Sequence, residues 1–207
     1  MNQYFTHEDI LHFLRQVYFG DYRNQPFQVA SDRAYRDFCR TIHGLPKGKT
    51  KEEKKKIEEE NVRARITVTN YICDRLAAIH FPEDDNQERF DVWHKETCDG
   101  IIRTFPLCDL TYGQAQKWLN MMFKYLLTLG QGEACRLINW LHVPFDSIII
   151  EMAILQNVFE RPQKAWSQWT YDEYTKYQSL LRNWIKNTKG KDFPPIIWEF
   201  RNWHNDA

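Results

Sequence analysis

The chain has 207 residues, of which 43% are hydrophobic and 15% aromatic, so it can bury the core of one domain or of two packed lobes. The formal net charge is zero, which excludes a global field that would attract nucleic acid or an anionic membrane. A DNA-binding function would therefore need a local basic patch. No segment approaches the roughly 20 apolar residues of a membrane span, and the first residues do not resemble a signal peptide. We therefore expect a cytoplasmic protein with no membrane partner.

Helix start and stop signals recur along the chain. Three threonines are each followed three residues later by Glu or Gln, the pattern of a capping box, and glycines follow several apolar runs. No run alternates apolar and polar residues as a half-buried strand does. The sequence thus predicts an all-α fold of about nine helices in one domain, with possible lobes at 1–105 and 106–207. The predicted helices are 7–19, 31–43, 51–80, 87–104, 112–129, 132–141, 146–158, 171–188 and 195–204.

Two segments need separate interpretation. Residues 147–150 have the composition of a strand, but they follow Asp146 and lead into a Glu-Met-Ala sequence, so a buried helix is predicted. Residues 82–86 are predicted to form the loop between the two helical halves.

The cysteines and histidines give no strong metal signature. The five cysteines are odd in number and contain no C-x-x-C pair, which argues against a disulfide framework and against a zinc or iron–sulfur site. Asp91, His94 and Cys98 share one helical face, with His80 nearby, but a metal needs ligands from more than one such face. The sequence favours a surface His94 beside a core Cys98, and no metal or cofactor is expected.

The predicted helix 112–129 carries two lysines on one face. Lys117 and Lys124 are seven residues apart and therefore lie two turns apart on the same side. The opposite side is apolar and includes Ala115, Trp118 and Met122. Taken alone, this pattern is typical of a helix whose lysines face solvent.

A short segment around Pro144 precedes the next helix. Pro144 favours an extended residue before it, and Asp146 is well placed to cap the helix that follows. The simplest interpretation of Asp146 is that cap. A carboxylate held at a helix N-terminus also stays ionised, because the helix dipole and backbone N–H groups favour the charge, and it can stabilise a developing cation.

At these residues the sequence resembles the helix-hairpin-helix DNA glycosylases, and specifically their archaeal 8-oxoguanine branch. The helix with Lys117 and Lys124 looks like the lysine helix of that family, and residues 143–146 look like its catalytic aspartate segment. Residues 193–198 are similar to its closing helix. The glycine-rich hairpin of most relatives is reduced here to residues 112–114.

The resemblance implies base excision from double-stranded DNA, with possible β-lyase activity. Lys117 would attack the sugar C1′ of an extruded nucleotide and form a Schiff base, with Lys124 as the second candidate nucleophile. Asp146 would stabilise the cationic sugar. The residues expected to contact DNA or the extruded base are Lys124, Gln114, Trp118, Trp140 and Phe145.

The alternative is a non-enzymatic helical interaction protein in which Lys117 and Asp146 are an ordinary surface residue and an ordinary cap. The two interpretations differ in one geometric requirement. The enzyme needs Lys117 Nζ and Asp146 to face one aromatic-lined cleft.

Overall fold

A computed structural model describes residues 6–79 and 87–203 of the chain. Within these ranges it contains nine α-helices, two short 3-10 helices and no strand, which confirms the predicted all-α fold. The α-helices are α1 (His7–Phe19), α2 (Pro26–Phe38), α3 (Lys51–Ala77), α4 (Gln87–Thr104), α5 (Tyr112–Thr128), α6 (Gly132–Arg136), α7 (Ser147–Leu155), α8 (Tyr171–Lys189) and α9 (Pro195–Asn202). The 3-10 helices are Cys39–Thr41 and Trp166–Gln168.

The predicted capping boxes are present. At Thr50, Thr111 and Thr170 the threonine side chain accepts a backbone N–H three residues on, and the side chain of that residue returns a bond to the cap. Each box satisfies two backbone donors that the helix leaves without a partner. Gly130 and Gly190 follow α5 and α8 with φ values of 72° and 105°, where a residue with a Cβ is strained.

Several predicted boundaries were wrong. The second helix begins at Pro26, five residues before the predicted start, because proline suits the first helical turn and Ser31 lies buried within the helix. The sixth helix ends at Arg136, and turns replace the predicted helix up to residue 141. The segment after Asp146 is helical, as predicted, but it ends at Leu155. The predicted loop 82–86 and the ends of the third and ninth predicted helices, at 80 and 204, lie outside the described residues.

Helix α5 occupies the centre of the molecule. Every residue from 112 to 126 is buried, on the polar side of the helix as well as on the apolar one. Helix α2 packs along it most extensively, and α4, α6 and α8 also contact it. The buried hydrophobic residues, from Phe19 to Trp198, form one cluster around this helix. Because its polar residues are buried too, each of them requires a partner inside the protein.

The described helices include none with the length and apolarity that crossing a membrane requires.

Candidate active site on the central helix

The structure brings Lys117 and Asp146 together. Lys117 Nζ donates to Asp146 Oδ2 at 2.8 Å and lies 3.3 Å from the carbonyl oxygen of Pro144. The Lys117 side chain is 3% exposed and that of Asp146 is 17% exposed. The interpretation of Lys117 as a surface residue is therefore wrong. Burying an ion pair is costly unless both ions make further hydrogen bonds. Here Lys117 also contacts the Pro144 carbonyl, and Asp146 also accepts a backbone N–H.

Asp146 is fixed by its position as the N-cap of α7. Its Oδ1 accepts the backbone N–H of Ile149 at 2.9 Å, so the cap predicted from sequence is present. Its Oδ2 accepts the Lys117 bond and also the indole N–H of Trp203 at 3.2 Å. Burial raises the pKa of Asp146, but the charge of Lys117 and these hydrogen bonds outweigh burial and lower it overall. Asp146 is thus a carboxylate held in its charged form.

A glycine in the first turn of α5 lets an aromatic segment approach Lys117. A Cβ on Gly113 would lie 2.0 Å from the carbonyl oxygen of Trp166, so only glycine fits there. The Gly113 N–H donates to the carbonyl of Trp169 at 3.0 Å. This amide is therefore occupied within the protein, unlike a hairpin amide that binds phosphate. The close approach places the Trp166 ring centroid 5.9 Å from Lys117 Nζ.

A second buried ion pair lies two turns further along α5. Lys124 Nζ donates to Glu199 Oε1 of α9 at 2.7 Å, with side-chain exposures of 9% and 0%. Glu199 Oε2 is buried and has no hydrogen-bond partner among the described residues. Burial raises the pKa of Glu199 against the opposing charges of Lys124 and Lys117. The site therefore contains an acceptor oxygen that no described protein group uses.

The exposed edge of the site is aromatic. Trp203, which directly follows α9, is 47% exposed, and its ring centroid lies 4.7 Å from Lys124 Nζ. Phe200 is 39% exposed and lies 5.2 Å from the same nitrogen. With Trp166, which lies near Lys117, three aromatic rings border the two lysines. The two charged groups therefore meet and aromatic side chains border them, but both are largely buried, and the pair does not face either of the surface cavities of about 470 and 410 Å³.

A third carboxylate approaches from α2. Asp37 accepts the Tyr125 hydroxyl at 2.5 Å and lies within electrostatic range of Lys117 and Lys124. Burial raises its pKa, and the hydrogen bond and nearby cations oppose that effect. Helix α2 thus forms one wall of the site.

The other residues predicted to bind DNA or the base lie elsewhere. Gln114 completes the capping box of α5 and donates to the carbonyl of Thr41 at 2.8 Å, which ties α5 to the chain after α2. Trp140 is half-buried and lines a separate cavity with Arg182 and Phe193.

Trp118 and Phe145 need correction as base-stacking residues. Both are fully buried at 0% exposure. Trp118 packs against Tyr35 and donates to Ser31 Oγ at 3.0 Å, while Phe145 packs edge-on against Trp169. Neither ring has a free face for a base, because each fills the core.

Sequence reasoning missed Glu199, Trp203 and Asp37. Glu199 and Trp203 are four residues apart, a spacing that places both on one side of a helix. Glu199 is also the one acidic residue within an otherwise apolar and aromatic run, and that was the available signal. Asp37 gave none, because its link to Lys117 exists only through the packing of α2 on α5.

A separate buried network connects α4, α5 and α8. His142 Nε2 lies 2.6 Å from Asp91 Oδ1, and its Nδ1 lies 2.8 Å from the Tyr174 hydroxyl. Tyr174 accepts from Asn120 Nδ2 at 2.9 Å, and Asn120 Oδ1 lies 2.8 Å from His94 Nε2. One arrangement of protons gives every one of these hydrogen bonds a donor and an acceptor: both histidines are neutral and carry their proton on Nε2. The prediction of a surface His94 is wrong, since it is 1% exposed.

The histidines of this network are held neutral by their surroundings. Burial lowers the pKa of His94 and of His142, and the ring centroids lie only 4.2 Å apart, so a charge on one opposes a charge on the other. Asp91 stays ionised: burial raises its pKa, but His142 and two bonds from Arg182 lower it overall.

We expect the free energy of unfolding to fall as the pH drops below about 6.5. In the unfolded chain each histidine binds a proton near that pH, whereas the folded state resists it, so acid favours unfolding. Each histidine contributes up to about 1.4 kcal/mol per pH unit in this window. Urea unfolding between pH 5 and 8 measures the slope. The raised pKa values of Asp37 and Glu199 have the opposite effect on the free energy of unfolding, because these carboxyls bind a proton more readily in the folded protein. Both residues are retained in His94→Gln, so the difference in slope between that variant and the wild type removes their contribution.

In that comparison His94→Gln should flatten the slope, while His43→Gln, at an exposed position, should leave it unchanged. Equal slopes in the wild type and His94→Gln would contradict the assignment.

Two surface cavities, of about 470 and 410 Å³, lie away from the lysines. They are lined by residues of 158–180 and of 87–195 respectively, and neither includes Lys117 or Asp146. We place the candidate site by its chemistry, because the buried ions and the unused oxygen of Glu199 converge on α5. Across residues 6–79 and 87–203, no group of three or more His, Cys, Asp or Glu side chains could hold a metal ion. His80 lies outside those ranges.

Comparison of the chain with protein-family models, with curated proteins and with solved structures finds no match, so any functional assignment depends on this geometry.

Proposed function

We propose that the protein is a base-excision DNA glycosylase with β-lyase activity on a damaged base, in which Lys117 is the amine nucleophile. The observation that carries the proposal is the 2.8 Å contact between Lys117 Nζ and Asp146 Oδ2. The two residues come from different helices, and both were singled out from the sequence for this chemistry. A buried amine beside a fixed carboxylate is the arrangement that Schiff-base chemistry on a sugar requires.

The reaction divides between the two groups. Lys117 gives its ammonium proton to the departing base and attacks C1′ of the extruded nucleotide as the C1′–N bond breaks, so the base leaves as a neutral molecule. Asp146 stabilises the positive charge that develops on the sugar. Opening of the sugar ring gives an imine between C1′ and Nζ. Loss of a C2′ proton then breaks the C3′–O bond and nicks the strand.

The aromatic edge of the site suits an extruded base. Trp203 is half-exposed beside Asp146 and offers the stacking face that Trp118 and Phe145 do not. The buried Oε2 of Glu199, which no described group bonds, would accept an N–H group of the base only after the side chains that cover it move. Because the Lys117 side chain is only 3% exposed, a nucleotide reaches it only if the side chains that cover it move aside.

The test is borohydride trapping on duplexes that contain 8-oxoguanine, uracil or an abasic site. Borohydride reduces the imine to a stable amine, so a lyase becomes covalently linked to DNA. We expect an adduct with the wild type and none with Lys117→Ala. The Lys117 side chain supplies the attacking nitrogen, and no other group replaces it.

Lys124→Ala is the comparison variant. An adduct that survives in Lys117→Ala and vanishes in Lys124→Ala would move the nucleophile to Lys124. Absence of any adduct or base release with all three duplexes would reject the proposal in favour of an interaction protein.

A further inference from the structure

We propose that the outer face of α2 and of the 3-10 turn after it binds the phosphate backbone of duplex DNA through Arg33, Arg36 and Arg40. This inference rests on the proposed glycosylase function and names the surface that would hold its substrate. A chain with zero net charge needs such a local patch to bind DNA.

Helical spacing places the three arginines together. Positions 33, 36 and 40 follow one another at three and four residues, so they project from one side of the helix. The opposite side is buried against α5 through residues such as Ala34 and Phe38. The guanidinium groups therefore form a row on the solvent side, about 10 Å long at a rise of ~1.5 Å per residue.

The three arginines of this row are not paired in salt bridges with carboxylates of the described residues. Arg36 and Arg40 are exposed. Of the two acidic residues of α2, Asp32 pairs with Arg65 at 2.7 Å. Asp37 accepts the Tyr125 hydroxyl and attracts Arg33 electrostatically without a salt bridge.

Arg33 is held in place at one end of the row. Its guanidinium carbon lies 3.9 Å from the ring centroid of Tyr18, and its Nε has no hydrogen-bond partner among the described residues. That Nε is buried, so contact with a phosphate would come from the terminal N–H groups of the guanidinium, which stacking on Tyr18 holds in place.

The row lies next to the candidate site. Helix α2 packs on α5 more extensively than any other helix does, and α5 carries Lys117 and Lys124. A strand held along the outer face of α2 would therefore run alongside the helix that carries both lysines. At about 3.4 Å per nucleotide along a duplex strand, the row spans about three nucleotides, enough to hold the backbone on one side of an extruded residue.

The test compares the salt dependence of duplex binding. Log affinity falls with log salt concentration at about 0.9 per phosphate contact, so Arg36→Gln/Arg40→Gln should reduce the slope by about 2. Adding Arg33→Gln should reduce it by about 3 in all. The control is Lys55→Gln/Lys56→Gln, which removes two exposed charges from the start of α3 and should leave the slope unchanged.

The outcomes separate this inference from the proposed function. A salt-dependence slope that is smaller in the arginine variants, and unchanged in the lysine control, supports the DNA-binding surface on α2. A wild-type protein that traps abasic DNA, together with arginine variants of unchanged slope, overturns the surface and leaves the glycosylase intact. A wild-type protein that neither traps nor binds a duplex overturns both. Thermal melting of each variant verifies that it is folded.

Discussion

Changing Asp146 to asparagine is expected to reduce base release by about a hundred- to a thousandfold, the usual range for loss of one stabilising group in a transition state. Asparagine is as good an N-cap as aspartate and keeps an oxygen for the Ile149 N–H, so α7 remains in place. What is lost is the negative charge beside Lys117, which in the proposed reaction balances the cationic sugar. Single-turnover release of the damaged base measures the effect.

The control for Asp146→Asn is a duplex that already contains an abasic site. No base has to leave there, so borohydride trapping through Lys117 should fall far less than base release. A loss of trapping equal to the loss of release would mean that Asp146 positions Lys117 rather than stabilising the sugar. Release within a few-fold of the wild type would remove Asp146 from the mechanism.

Replacing Glu199 with leucine is expected to destabilise the fold by about 3–5 kcal/mol, because it leaves the ammonium of Lys124 buried without its partner. Replacing both residues, Lys124→Met with Glu199→Leu, should restore most of that stability, since two apolar side chains can fill the space without the cost of burying ions. Urea unfolding of the two single variants and the double variant gives the coupling energy.

The exposed pair Arg161–Glu151 provides the comparison. Its side chains are 65% and 41% exposed, and Glu151→Leu should cost less than about 1 kcal/mol, because water screens the charge that remains. If Glu199→Leu were no more destabilising than Glu151→Leu, the Lys124–Glu199 pair would not be buried as described. Additive effects of the two core substitutions would likewise contradict direct contact.

Much of the fold follows from local signals in the sequence. Capping boxes, helix-stop glycines and apolar periodicity involve residues within one turn of each other, so they can be identified without knowledge of the tertiary structure. They predicted the all-α class and the start of α5 at Thr111. The same local reasoning identified Asp146 as a cap and placed Lys117 and Lys124 on one face.

The base-contacting role expected of Trp118 comes from the family resemblance and is wrong. The apolar periodicity of the helix places Trp118 on the buried side, and the structure confirms that position. The lysine face was interpreted as solvated because most helices bury one side only. Helix α5 is instead buried on every side, because neighbouring helices pack around it, and the sequence of α5 alone does not indicate this packing.

The contacts of the candidate site are decided by tertiary structure. Lys117 and Asp146 are 29 residues apart, Asp146 and Trp203 are 57 apart, and Lys124 and Glu199 are 75 apart. Such contacts depend on the angles at which whole helices cross, which no short pattern in the sequence records. The sequence alone determined the helices and the residue types available for chemistry. The packing of α2, α7 and α9 around α5 determined which of those residues meet, because burial forces every charged group on the central helix to find a partner.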